Sequence, residues 1–320
     1  MSTESERGTS RSGFLKQAAG ATVAVAGAGI GAGAIATSAS AADKRTYTAG
    51  RFALDLDGVS CGMVVGVDGG DLNCDVVFDE PVGSDGVQRK HIAGVKYEDI
   101  TIQAGSNMDK TFYNWIKNSF DGKVERKSGS IIAGDFDYKE LSRRAISTAF
   151  VSSVTIPALD GASKDPAYLA VSITPTTVSD VPPSSGQPLA GARQKAWLPS
   201  NFVFVVGGLD TSRVASIDSF TWKCRVAADG SFVMDVSDIV LTLPRARMAS
   251  WQQWYDNMKG GADDERDGEL TIVGARDGAV LTFGLENLGL HRLSPVPNSS
   301  TRIKAEMYCE RMRLLPTVNK

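Results

Sequence analysis

Asp99-Ile100-Thr101-Ile102-Gln103-Ala104-Gly105, followed by Phe112-Tyr113-Asn114-Trp115, sets an alternating strand directly before an amphipathic helix, and this order decides the fold. Tyr97, Asp99 and Thr101 share one face of the strand and Ile100 and Ile102 the other, the period of two of a half-buried strand. In the helix Phe112, Trp115, Ile116 and Phe120 recur at spacings of three and four; Ser106 or Asn107 can cap its start and Gly122 offers a stop. The same order returns later. Asp238-Ile239 and Trp254 lie 139 residues after Asp99-Ile100 and Trp115, while Ile217-Asp218 and Cys224 lie 150 after Val67-Asp68 and Cys74. The chain beyond its first 41 residues thus reads as one unit written twice, and the difference of 11 between the offsets puts extra residues in the first copy, around 80–96. A unit that is duplicated packs against copies of itself, which points to an assembly protein.

Working outward, strands are expected in the first copy at 51–59, 72–78, 97–103, 129–137, 147–156 and 168–175, with a polar, glycine-containing arm between the second and third. Pro182-Pro183-Ser184-Ser185-Gly186-Gln187-Pro188 fits neither a helix nor a central strand and reads as a linker. Strands at 202–207, 216–226, 232–243, 270–273, 280–285 and 301–312 and a helix at 248–259, ended by Gly260-Gly261, make up the second copy. The expected organisation is a first domain over 46–178 with a long arm at 79–96, a linker over 179–199 and a second domain over 200–317. Strands, one helix, strands in each copy predicts a mainly β fold: two tandem antiparallel β-barrel or sandwich domains with one helix covering an opening or edge.

At 320 residues and 42 % hydrophobic, the chain is long enough to bury a core in each copy. A formal charge of −3 argues against a protein that binds nucleic acid by neutralising phosphates. The first 41 residues stand apart: Arg11, Phe14, Leu15 and Lys16 precede a weakly apolar Ala/Gly/Val run, and Ala39-Ser40-Ala41 has the small-x-small form of a cleavage site. This reads as an export signal and resembles a twin-arginine leader, with Ser12 in place of the second arginine. The plain alternatives are a low-complexity Ala/Gly tail and a weak membrane span. Gly27-x-Gly29-x-x-Ala32 in that run lacks the strand and crossover of a dinucleotide loop.

Chemistry is sparse in the sequence. Cys61, Cys74, Cys224 and Cys309 form no Cys-x-x-Cys pair, and the matched positions of Cys74 and Cys224 favour two small buried residues over a bridge. His91 and His291 lie in no catalytic or zinc motif and read as solvent-facing or interface residues. Asp68, Asp71 and Asp75 do not match a calcium loop, and Asp263-Asp264-Glu265-x-Asp267 reads as a solvated loop. Trp115, Trp251 and Trp254 sit at core spacing. No enzymatic activity, catalytic residue, metal or cofactor is expected.

Over residues 48–178 the chain resembles the tail tube proteins of contractile-tailed phages and related injection systems, including the tube protein of type VI secretion. The residues that carry this are Asp57-Gly58 after the opening strand, Val67-Asp68-Gly69, His91-Ile92-Ala93-Gly94-Val95-Lys96-Tyr97 closing the arm, the strand from Asp99 to Gly105, and the helix with Trp115. The second copy matches through Val236-Ser237-Asp238-Ile239-Val240-Leu241-Thr242, Trp254 and Leu270-Thr271-Ile272. The resemblance implies rings whose sheets join, stacked into a hollow tube of three or six chains per ring, with the chain itself as the main partner and sheath, baseplate or spike proteins as others. It implies that the arm, with Glu80, Arg89, Lys90 and His91, contacts a neighbouring subunit or ring. No specific nucleic-acid or membrane binding is expected. The competing reading is an exported two-domain β-sandwich that binds a carbohydrate or surface ligand. Location follows the leader: extracellular if it is processed, otherwise a virion or a cytoplasmic injection particle. Mass spectrometry of the protein from its native host is expected to find an N-terminus at Ala42; an N-terminus still carrying 1–41 would contradict processing.

Overall fold

A computed structural model describes residues 51–79, 84–184, 186–274 and 278–316. The expected export segment, including Arg11, Phe14, Leu15, Lys16, Ala39 and Ala41, lies outside the described residues, as does Glu80. The first half contains β1 (Phe52–Leu56), β2 (Val59–Val64), β3 (Gly66–Gly69), β4 (Leu72–Phe78), β5 (Lys90–Tyr97), β6 (Ile100–Ala104), α1 (Lys110–Phe120), β7 (Lys127–Gly134), β8 (Glu140–Ile156), β9 (Leu159–Asp160), β10 (Leu169–Thr174) and β11 (Thr177–Val181). The second half contains β12 (Phe202–Val206), β13 (Ser216–Ile217), β14 (Phe220–Val226), β15 (Phe232–Val236), β16 (Ile239–Pro244), α2 (Ala249–Lys259), β17 (Arg266–Gly274), β18 (Gly278–Pro295) and β19 (Arg302–Leu315). The fold is mainly β and every pairing between these strands is antiparallel. Among the described residues no helix is long and apolar enough to cross a membrane.

One sheet runs β2-β1-β7-β8-β10-β6-β3, and another runs β12-β17-β18-β19-β16-β13-β9. The registers agree in detail: Gly129 faces Ile146 and Ile131 faces Arg144 in the first, while Gly268 faces Leu285 and Leu270 faces Phe283 in the second, each 139 residues on. Gly129 and Gly268 are needed for the same reason, since a Cβ would run into the carbonyl of Asp55 or of Val205 on the adjacent strand. The two helices are tied down alike. Trp115 Nε1 donates to the Glu125 carbonyl at 2.9 Å, and Trp254 Nε1 to the Asp264 carbonyl at 2.7 Å.

The sheets are not confined to one half each. The β14–β15 hairpin joins β8, with Phe220 opposite Ile156, Thr221 opposite Thr155, Trp222 opposite Val154 and Lys223 opposite Ser153. In exchange β9 extends the other sheet by pairing with β13. One apolar cluster accordingly spans both halves, with the Phe120 ring 4.7 Å from that of Trp222 and 6.3 Å from that of Phe283. Among the described residues none of the sheets closes into a barrel, so the barrel form of the expected domains is not observed within a single chain.

Several expected boundaries move. The strand at 51–59 is cut by a turn because Asp57 and Gly58 take φ of 49° and 80°. Asp109, not Ser106 or Asn107, caps α1, its carboxylate accepting from the Thr111 N–H at 2.7 Å. Ser106 and Asn107 instead donate to the carbonyls of Lys195 and Arg193, in the segment before β12. The strands expected at 147–156 and 280–285 are the visible parts of longer ones, of 17 and 18 residues. Each strand carries one left-handed non-glycine residue inside it, Thr148 (φ 47°) or Asn287 (φ 54°), which resets the alternation of faces and hides its continuity. The segment read as a linker is fastened: β11 pairs with β8, Leu189 and Trp197 are buried, and Gln194 accepts from Gly105 N–H while donating to the Met63 carbonyl.

Glu140 opens β8 with a side chain only 4 % exposed, bound to Arg143 Nε at 2.8 Å and to the Ser184 N–H at 3.0 Å. The Arg143 hydrogen bond holds its carboxyl below the usual 4.5. The stabilisation is therefore complete above that value and lost as pH falls through the depressed one. Glu140→Gln is expected to cost about 1–3 kcal/mol at pH 7 by chemical denaturation, with the gap to the parent closing towards pH 3. A gap that is constant with pH would contradict the assignment.

Candidate assembly interface

β4 and β5 form a hairpin of their own, with Leu72 opposite Tyr97, Cys74 opposite Val95 and Phe78 opposite Lys90. Among the described residues neither strand pairs with any third strand. Its apolar side chains are nonetheless many: Leu72, Val76, Val77, Phe78, Ile92 and Val95 are all exposed. A two-stranded hairpin gains little stability alone, and exposed alternating apolar residues on it amount to a binding surface.

The counterpart hairpin in the second half shows what such a surface does when covered. β14 occupies the place of β4, 150 residues on, so Trp222 corresponds to Leu72 and Cys224 to Cys74. Trp222 is 1 % exposed and Leu72 60 %. Docking on β8 makes the difference. The expectation that Cys74 and Cys224 are both buried is thereby corrected: Cys224 is buried at the joint, and Cys74, on the undocked hairpin, is exposed. The reading that the second half lacks the arm is also refined, since β14–β15 is the same hairpin with a short turn at 227–231.

Of the arm residues singled out in sequence, Arg89, Lys90 and His91 come together at the outer end of the β4–β5 hairpin. Arg89 pairs with Asp85, the Lys90 ammonium lies 5.1 Å from the Phe78 ring centroid, and His91 Nδ1 is 2.7 Å from Asp79 Oδ1. Asp75 pairs with Lys96 across the strands. His291 sits apart, 3.1 Å from Asp238.

Sequence reasoning missed the far edge of β18. Its β17 side is paired only as far as Leu288, and the β19 side continues to Pro295. Among the described residues nothing pairs with the β17 side of 291–295. The helix beside that edge is also less covered than its counterpart. α1 buries Tyr113, Ile116, Ser119 and Phe120, whereas the matching Gln252, Tyr255 and Met258 of α2 are only half-buried and Lys259 is exposed. Tyr113 explains the contrast, its hydroxyl donating to the Leu315 carbonyl of the other half at 2.7 Å. The signal available in sequence was the 139-residue offset itself, which maps 153–156 on 292–295.

The acidic run after α2 proves to be tied into the fold. Asp264 is held below the usual carboxylate range by Arg266 and Asn257, and Tyr308 donates to Glu265 at 2.6 Å, which pushes the phenol up to about 12. Burial pushes the Cys61 and Cys309 thiols to about 12 as well. Among the described residues no three His, Cys, Asp or Glu side chains gather as a metal site.

Comparison with known proteins places the first half. The model of the family described as T4-like virus tail tube protein gp19 matches residues 48–176. Among solved structures, the anti-feeding prophage cap (AFP tube terminating cap), determined by cryo-EM, is 22 % identical. It covers 46 % of this chain and 98 % of its own, with a TM-score of 0.34. No curated protein matches the sequence. The family match supports a tail-tube-like structural role.

If the joint on β8 is what buries Trp222, Trp222→Ala should destabilise the folded chain by about 3–5 kcal/mol. Leu72→Ala should stay within about 0.5 kcal/mol in dilute denaturation. Equal costs would mean that the β4–β5 hairpin is already docked in the single chain.

Proposed function

We propose that this protein is a structural, self-associating tail-tube-like protein, with two tandem tube-like domains that form rings stacked into a hollow tube. The observation that carries the reading is the pair of undocked surfaces just described, set beside a family match over 48–176. A hairpin with an apolar face and an unpaired strand edge are hazards in a protein that stays a monomer, and closing a ring removes both. Contacts of this head-to-tail kind generate rings or filaments rather than pairs.

Three chains per ring, each giving two units, fits the chain better than six. The β14–β15 hairpin extends the sheet of the first half, which supports a second half that continues the wall sideways over one that decorates its outside. The longer first hairpin, with Arg89, Lys90 and His91 at its end, is the candidate for contact with the next subunit or ring. Sheath, baseplate or spike components are the further partners this role calls for. Location follows from the leader: processing before Ala42 makes the assembly extracellular, and retention makes it a virion or injection particle.

Electron microscopy of the purified protein at high concentration should show uniform rings or tubes. A monodisperse single chain would refute the tube reading and favour a monomeric binding protein.

A further inference from the structure

We propose that the β4–β5 hairpin of one chain adds to the open edge of β18 in a second copy of this chain, in the register of the joint between β14 and β8 inside each chain. The inference rests on the assembly reading above and specifies its contact. It comes from the correspondence of strands at fixed offsets. β14 maps back on β4 by 150 residues, and β8 maps forward on β18 by 139.

The second correspondence extends to irregularities. β8 shifts register against β10 between Val151 and Ser153, and β18 shifts against β19 between Leu290 and Arg292. A strand edge that matches to the level of its bulge offers its N–H and C=O groups at matching positions. The pairs Thr221–Thr155, Trp222–Val154 and Lys223–Ser153 therefore translate to Asp71–Ser294, Leu72–Leu293 and Asn73–Arg292 between chains.

Three observations support this occupant. The surfaces are complementary in kind: among the described residues one is a hairpin without a third strand and the other an edge without a neighbour. Leu72, now exposed, would meet the half-buried Leu293 where Trp222 meets Val154. Charge agrees in part: Asp71, just before β4, and Asp75 flank Asn73 and are already paired, with Arg144 at 3.7 Å and with Lys96, and Arg292 opposite Asn73 is 63 % exposed, with His291 beside it. Arg292 also faces Glu306 on its own sheet at 3.4 Å, so the edge is not uniformly basic.

The smaller joint inside the chain, β9 on β13, has no such repeat. β19 lies only 134 residues after β10 in register, so the second half is five residues short between β18 and β19, where the counterpart of β9 would fall. The contact between chains is thus the hairpin joint alone, with α2 and the stem of Lys259 beside Leu72 in place of Phe120 beside Trp222. A less apolar version of the internal joint suits a contact made after each chain has folded.

Cysteine pairing tests the register. Thr155 and Thr221 bring their hydroxyls to 2.9 Å, so the equivalent pair, Asp71→Cys with Ser294→Cys in a Cys74→Ser background, should bridge on mild oxidation. Non-reducing gels are expected to show two-chain and three-chain species. Each single variant, and the pair Asp71→Cys with Leu293→Cys, whose side chains point to opposite faces, should stay as single chains. Sedimentation of the unoxidised parent separates the failures. A parent that assembles while the designed pair does not bridge overturns this joint and leaves the tube reading standing, and bridging by the single variants indicates a two-fold contact and overturns it too. A parent that sediments as one chain at every concentration overturns both.

Discussion

The structure depends on one strand joint, β14 laid along the C-terminal part of β8. Without it only the short β9–β13 pairing would link strands of the two halves, and each half would hold an apolar hairpin out in water. With it, Trp222 is buried between Val154 and the Phe120 ring, and the core becomes continuous. Backbone pairing sets the register, and the aromatic contact makes that register the one that excludes water.

The joint also makes the two halves unequal although their strands follow the same plan. Apart from β9, the surfaces that one half uses to cover the other inside the chain have counterparts at the far side that are uncovered among the described residues. α1 is sealed by the second half while α2 is half-buried; β14 is docked while β4 is not; β8 is paired along its length while β18 ends with an open edge. An arrangement of this kind is a segment of a longer series, and adding the next chain is the physical way to complete it.

Much of this was legible in the residues. The offsets of 150 and 139 are carried by short apolar-acidic pairs and by a tryptophan in each helix, and the strand registers follow the same offsets because those residues sit where neighbouring strands face each other. What stayed hidden were the long strands β8 and β18. Left-handed Thr148 and Asn287 break their alternation, and their polar stretches look like loops. The fastening of 186–198 was equally invisible, since Gln194 acts through three backbone groups that are remote in sequence. The candidate site was half legible: Arg89, Lys90 and His91 marked the end of the hairpin, but no composition or period marks an unpaired strand edge. That edge is defined by what does not lie beside it.

Hydrogen–deuterium exchange, compared between dilute and assembled protein, tests the central claim most directly. Amides at 220–223 are expected to exchange slowly in both states, because β14 is docked inside the chain. Within 71–73 and 292–294, the amides that point away from β5 and from β19 are expected to exchange rapidly in the dilute state and to become protected on assembly. Protection of 71–73 that is the same in both states, or assembly that leaves 292–294 unprotected, would contradict the account.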